Sequence, residues 1–178
     1  MITLVLGLRG KAPQAVDELH RLYRDALTRF CWGYLGRVEE ADDAVQDIFC
    51  KILAAPDIPA ADQFRPWLYK IARHHCLNLL RDRAARKDGV ALPAGSQAFE
   101  AATGNLTRMV REELRSKLAE MVHALPEDQQ EILRLRYVED LSRAEIAAVL
   151  EVPESVVKSR LFEGLKRLRD FADQLEQT

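Results

Sequence analysis

The stretch Leu141–Arg169, LSRAEIAAVLEVPESVVKSRLFEGLKRLR, decides how the chain reads. It divides into two short amphipathic helices with a tight joint between them. Ser142 followed by Glu145 forms a capping box, in which the Ser oxygen takes an orphan backbone N–H and the Glu reaches back to the cap. Behind that start, Ile146, Ala147, Val149 and Leu150 make one apolar stripe at helical spacing. Glu151-Val152-Pro153 breaks the pattern, because proline has a fixed φ and no N–H and suits the first turn of a new helix. In the second helix Val156, Val157, Leu161, Leu165 and Leu168 are expected to point inward, with Lys158, Arg160, Lys166, Arg167 and Arg169 mostly outside that stripe.

Small Ala147, the turn residue Glu151 and inward Val157 fall at the spacing that a helix-turn-helix needs for close helix crossing. A plain helical hairpin with a solvated basic face would share much of this pattern. Five Lys/Arg against two Glu (Glu154 and Glu163) on the second helix favour phosphate contact. The joint position suits glycine in a left-handed backbone, so Glu151 there costs on the order of 1 kcal/mol.

Working outward, the 178 residues suffice for one domain with a fair core or for two small ones. Lys+Arg 26 against Asp+Glu 28 gives a formal charge of −2, so the whole molecule is not a basic nucleic-acid binder. Charge is instead segregated along the chain. Cys31, Cys50 and Cys76 are odd in number and form no CxxC, which fits a reducing compartment rather than a disulfide framework. The opening MITLVLGLRG is too short for a membrane span and lacks the basic start of a signal peptide, so a cytoplasmic protein is expected. Periodicity is helical nearly throughout, and the fold class predicted is all-α, with two helical domains.

Upstream, Val16, Leu19, Leu22, Tyr23, Ala26, Leu27 and Phe30 recur at three- and four-residue steps. A second helix, Glu39 to Leu53, carries Ala41, Ala44, Val45, Ile48, Phe49 and Ile52 on its apolar side. Glu39, Glu40, Asp42, Asp43 and Asp47 stand at its start with no base among them. Acids favour a helix N-terminus through the macrodipole; the same run would also serve as a docking surface for a basic partner. AAPDIPAADQFR, 54 to 65, is expected to be a loop, long enough to suspect of function. A helix from Pro66 to about Arg86 follows, with Trp67, Leu68, Ile71, Ala72, Cys76, Leu79 and Leu80 as its buried stripe and Lys70, Arg73, His74, Asn78 and Arg81 on the other side. From Arg65 to Lys87 seven bases face one acid, Asp82, a segment charge of +6 that is the footprint expected of nucleic-acid contact. His74, His75 and Cys76 are adjacent and so point in different directions, which argues against a metal site; no cofactor is expected.

Residues 87 to 107 are rich in Gly, Pro and small side chains and are predicted to be a linker. Helical order is expected again with Leu106, Met109, Val110, Leu114, Leu118, Met121, Val122 and Leu125. In LPEDQQEILRLRYVEDLS, Pro126 marks a helix start with Glu127, Asp128 and Glu131 in the first turn, and Ile132, Leu133, Leu135 and Val138 are core candidates.

With both blocks laid out, the chain resembles the extracytoplasmic-function sigma factors, small two-domain promoter-specificity subunits of bacterial RNA polymerase. EEADDAVQDIFCKIL is similar to that family's acidic start followed by DLVQEVF. FRPWLYKIARHHCLNLLRDRAAR resembles FxxWLxxIARNxxxDxxRxxxR, and LPEDQQEILRLRYVEDLSRAEIAAVLEVPESVVKSRL resembles LPxxxRxVxxLRxxEGLSxxEIAxxLGxPxGTVKSRL. The resemblance implies a region 2-like domain over 10–86, a linker over 87–107 and a region 4-like domain with the helix-turn-helix over 108–178. It further implies that Asp42, Asp43, Gln46, Asp47 and Phe49 grip the coiled coil of the largest polymerase subunit. Arg65, Lys70, Arg73, His74, Asn78, Arg81 and Arg83 would contact the −10 element as an opened strand. Ser142, Glu154, Ser155, Lys158, Ser159, Arg160, Glu163, Lys166 and Arg167 would contact the −35 element from the major groove. The linker would thread toward the polymerase active-site channel and RNA exit path. An anti-sigma partner is expected from the same analogy, and catalysis is not.

The chain departs from the pattern at chosen points. His74 and Asn78 replace the common Asn and Asp. Ser155-Val156 replaces Gly-Thr, and Glu163-Gly164 stands where a basic residue commonly faces DNA. A carboxylate there accepts from cytosine N4 but repels phosphate, and an interior glycine weakens a helix by ~1 kcal/mol. An unusual or weakly read upstream element is therefore expected. The competing readings are a free-standing helix-turn-helix regulator, which would bind a palindrome as a dimer, and a sensor built on the Cys/His cluster.

Overall fold

The structure, a computed structural model, describes residues 1–85 and 117–176. Arg86, the expected linker 87–107, and the core candidates Leu106, Met109, Val110 and Leu114 lie outside them. Among the described residues every regular element is a helix: α1 (Ile2–Arg9), α2 (Pro13–Leu35), α3 (Val38–Ala54), α4 (Ala61–Ala85), α5 (117–123), α6 (Glu127–Tyr137), α7 (Arg143–Leu150) and α8 (Glu154–Glu176). The chain falls into two compact units, one around α1–α4 and the other around α6 and α8.

In the first unit α2, α3 and α4 pack on one another, and α1 lies against α2 and α4. The reason is the helical spacing of their apolar residues: Leu19, Leu27 and Phe30 of α2, Ile48, Phe49 and Ile52 of α3, and Phe64, Leu68, Ala72 and Cys76 of α4 are all withdrawn from water. Phe30 meets Tyr69 edge-on with ring centroids 5.2 Å apart. Leu22, expected inward, is exposed, while Trp67 and Ile71 are half-buried. Gly36 ends α2 in the left-handed conformation, φ 75°, with its N–H on the Trp32 carbonyl.

One element comes in addition to those expected, and one expectation is corrected. The opening MITLVLGLR folds as α1, because Leu4, Val5 and Leu8 find an apolar surface to cover. Gly7 lets α1 approach α2 closely: a Cβ there would sit 2.7 Å from the Ala15 Cβ. The loop before α4 is also shorter than expected. The helix starts at Ala61, with Pro66 inside it, and forfeits the bond proline cannot give. Buried Phe64 and Pro66 secure that early turn. What remains of the loop is tied down through buried Ile58, whose carbonyl accepts from Arg9 Nε at 2.8 Å.

In the second unit Ile132, Leu133 and Leu135 of α6 meet the buried face of α8, Val157 and Leu161. Gly164 is buried in that crossing, where an added Cβ would lie 3.2 Å from Leu133 Cδ1 and 3.6 Å from Gln129 Cβ. The glycine therefore serves helix approach as well as weakening α8. Leu165, expected inward, is exposed, and Val156, Leu168 and Val138 are half-buried. The capping box forms in both directions, Glu145 N–H to Ser142 Oγ at 3.2 Å and Ser142 N–H to Glu145 Oε2 at 2.8 Å. At the joint Glu151 is left-handed, φ 58° and ψ 41°, and the Val152 N–H closes on the Ala147 carbonyl at 3.1 Å.

Ala introduced at Gly7 collides with a rigid methyl, so Gly7→Ala should destabilise the chain by about 1 kcal/mol or more despite better helix propensity. Ser142→Ala should cost about 1 kcal/mol by removing the cap, whereas Glu151→Gly should stabilise by up to about 1 kcal/mol by relieving the left-handed residue. Urea denaturation of the three variants against the parent chain reads all three signs.

Candidate nucleic-acid and partner interfaces

Three surfaces bring together the residues singled out in sequence. The first is the outward side of α3. Burial of Ala41, Ala44, Val45, Ile48 and Ile52 leaves Asp43, Gln46 and Asp47 in solvent. Among the described residues Asp43 and Gln46 have no side-chain partner, so their polar groups remain available. Asp42 is half-buried and accepts from Thr28 Oγ1 at 3.4 Å. Phe49 does not belong to this face: it is 2% exposed, and the His20 ring covers it with centroids 4.0 Å apart. Its place is in the core that holds α3. Sequence reasoning passed over Cys50, Leu53 and Val38, which are exposed on α3. The spacing of Asp43, Gln46, Cys50 and Leu53 at three and four residues would have grouped them.

The second surface is on α4. His74, Asn78 and Arg81 are exposed, and Arg65, Lys70, Arg73 and Arg83 are half-buried. Asn78 Oδ1 accepts from Arg81 Nη1 at 2.7 Å, which fixes the amide with its nitrogen outward. Arg83 is bound to Glu40 on α3, so the cation at the end of α4 is partly neutralised. Glu40 also faces Arg37 at 3.5 Å.

Between these surfaces lies His75, only 7% exposed. Lys51 Nζ donates to its Nδ1, so the ring is the neutral tautomer with its proton on Nε2. Nε2 stands 3.4 Å from Asp47 Oδ2 without a hydrogen-bond partner. Burial, then the Lys51 charge, hold the imidazole below its ordinary pKa, and Asp47 opposes them. His74 and Cys76 point elsewhere, one exposed and one buried. Among the described residues no group of three or more His, Cys, Asp or Glu converges for a metal ion.

The third surface is α7–α8. Ser155, Lys158, Ser159, Lys166 and Arg167 are exposed. Ser142 is occupied as the cap of α7. Glu154 faces Arg143 at 3.5 Å, and half-buried Arg160 reaches Asp128 of α6 at 3.1 Å. Glu163 is exposed too, and accepts from Ser159 Oγ at 3.0 Å and from Gln129 Nε2 at 3.4 Å. Phe162, left unassigned in sequence, is 70% exposed among these polar groups. An apolar side chain so placed is suited to the thymine methyl group in a major groove.

Comparison with known proteins follows the same division. The family model described as Sigma-70 region 2 matches residues 19–86, and that described as Sigma-70, region 4 matches residues 115–168. The ECF RNA polymerase sigma factor SigW of Bacillus subtilis is 30% identical over 165 residues, covering 87% of this chain and 87% of that one. The ECF RNA polymerase sigma-E factor of Escherichia coli K12 is 33% identical over 146 residues, 78% of this chain and 74% of its own. Among solved structures, the sigma factor RpoE in complex with the anti-sigma factor NepR from Bartonella quintana shares the fold, with a TM-score of 0.67, 22% identity, and coverage of 88% of this chain and 96% of that one. Among the described residues no helix is long and apolar enough to cross a membrane.

Because the folded state holds His75 neutral below its ordinary pKa, it binds fewer protons there than the unfolded chain does. Its stabilising contribution is present above about pH 6.5 and is lost as the pH falls through the lowered folded pKa. The melting temperature should therefore drop from pH 7 to pH 5, and His75→Gln should flatten that slope. An NMR titration placing the His75 ring at or above 6.5 would contradict the assignment.

Proposed function

This chain belongs to the extracytoplasmic-function sigma factors of the sigma-70 family, and on that footing we propose how its surfaces divide the work of promoter-specific initiation. The exposed acids of α3, with Asp43, Gln46 and Asp47 foremost, dock on the coiled coil of the largest subunit of RNA polymerase. Cationic partners are drawn to this face, and complementary charge fixes the register of the encounter. The cationic side of α4, Arg65, Lys70, Arg73, His74, Asn78 and Arg81, holds the −10 element once its strands part. Lysine and arginine neutralise phosphates there, and planar side chains receive unstacked bases. The exposed side of α8, from Ser155 to Arg167, enters the major groove of the −35 element.

The observation that carries this reading is the order of two matched regions on one chain, each exposing a cationic helix, with an acidic helix beside the first. A free-standing helix-turn-helix regulator would need only the second unit and gives no role to residues 19–86. The chain itself makes no bonds in this scheme; the polymerase performs the chemistry. It works in the cytoplasm, where its promoter and polymerase are. An anti-sigma partner holding it inactive is proposed by analogy with the RpoE–NepR complex. Such a partner would compete with polymerase for the same exposed faces.

Purified chain added to core polymerase should direct initiation from discrete sites in a genomic library, mapped by the 5′ ends of the transcripts. Asp43→Lys with Gln46→Lys should weaken core binding by about tenfold or more through like-charge repulsion, without altering the melting temperature. A chain that binds core polymerase but initiates nowhere would refute the reading.

A further inference from the structure

Ser159 and Glu163 sit one turn apart on the exposed side of α8. A carboxylate can only accept, so the 3.0 Å contact between them must use the Ser159 hydroxyl proton. The other Glu163 oxygen, Oε2, takes the Gln129 amide at 3.4 Å, and the nitrogen of that amide must face it for the same reason. Gln129 is 4% exposed and fixed on α6, so the carboxylate is anchored from beneath as well as along the helix. Glu163 remains exposed, but both of its oxygens are engaged within the protein. Ser159, its only proton committed, keeps lone pairs alone to offer outward.

We propose that Ser159 reads the upstream duplex as an obligate hydrogen-bond acceptor, oriented by Glu163, and so selects adenine or cytosine over guanine or thymine at one position on one strand. The proposal rests on α8 being the helix that enters the groove. Its chemistry follows from the major-groove edges. Adenine N6 and cytosine N4 are amines placed alike across the groove, whereas guanine O6 and thymine O4 put an acceptor in that place. An acceptor-only hydroxyl gains a bond from the first pair and faces a lone-pair clash with the second. A serine with a free proton could serve either class and would discriminate neither. Glu163 is thus a positioning residue for specificity, and its presence where a cation is common narrows what the helix reads without itself touching a base.

The test uses polymerase holoenzyme formed with the full chain and a promoter series in which each upstream base pair is varied singly. With the parent chain, initiation at one position should favour A and C over G and T by about threefold to tenfold, the worth of one hydrogen bond. Glu163→Gln, whose amide can donate to Ser159 and release its proton, should abolish that amine preference while leaving other positions unchanged. Ser159→Ala should abolish it also, and Ser159→Thr should keep it. If Ser159→Ala or Glu163→Gln lowers initiation equally on all four bases, or leaves the preference intact, the inference is overturned while α8 remains the reading helix. If the parent holoenzyme initiates with no dependence on upstream sequence, the assignment of α8 and this inference fall together.

Discussion

The packing of α3 against α2 and α4 fixes which charges this molecule can display. Each of the three helices has one apolar side, and burying those sides together leaves no freedom in what faces water. Ile48 and Ile52 are wholly withdrawn, as are Leu19, Leu27, Phe30, Phe64 and Leu68 opposite them. Full burial of such side chains contributes roughly 1.5–3 kcal/mol each relative to exposure, far more than any surface ion pair. The acids of α3 and the bases of α4 are therefore positioned by the core, not by attraction to each other. That order of causes allows a helix with an acidic start and a cationic helix to sit in one small unit and still present separate faces.

The polar links between α3 and its neighbours are best understood within that frame. Glu40 with Arg83 ties the start of α3 to the end of α4, Asp42 takes the Thr28 hydroxyl, and Lys51 in the last turn of α3 meets His75 midway along α4. Part-buried polar links of this kind are each worth on the order of 1 kcal/mol net, too little to hold helices together. Their effect is local: they remove particular charges from the surface and leave others. Asp43 and Gln46 keep their polar groups for a partner while Glu40 does not. His75 differs from the other links because it is buried and neutral, so protonating it would place a second cation beside Lys51 in a dry setting.

Much of this arrangement was legible in sequence wherever one side of a helix is periodic and its ends are marked. The capping box at Ser142 and Glu145, the left-handed Glu151 and the start of α6 after Pro126 rest on local rules, and local rules sufficed. Features set by distant neighbours were less legible. Nothing in MITLVLGLR announces a helix until α2 and α4 supply its other half. Pro66 reads as a helix start, yet buried Phe64 carries the helix a turn further back. Phe49 is on the apolar side by spacing although the family pattern groups it with outward polar members, and the His20 ring covers it there. For the same reason the family pattern could name residues for contact with polymerase and DNA but could not say which of their polar groups are already engaged.

Glu163-Gly164 makes the point most sharply, since each residue looks unfavourable alone: one repels phosphate and the other weakens a helix. Their neighbours on α6 join them into one device. With no side chain on Gly164, α8 can lie close to Leu133 and Gln129. That closeness brings the Gln129 amide within reach of Glu163, and the carboxylate so held takes the proton of Ser159. A side chain at 164 would press on Leu133 in the crossing; a base at 163 would leave the Ser159 proton free. The two departures are thus linked through the α6–α8 crossing, and a substitution at either position would be felt near Ser159.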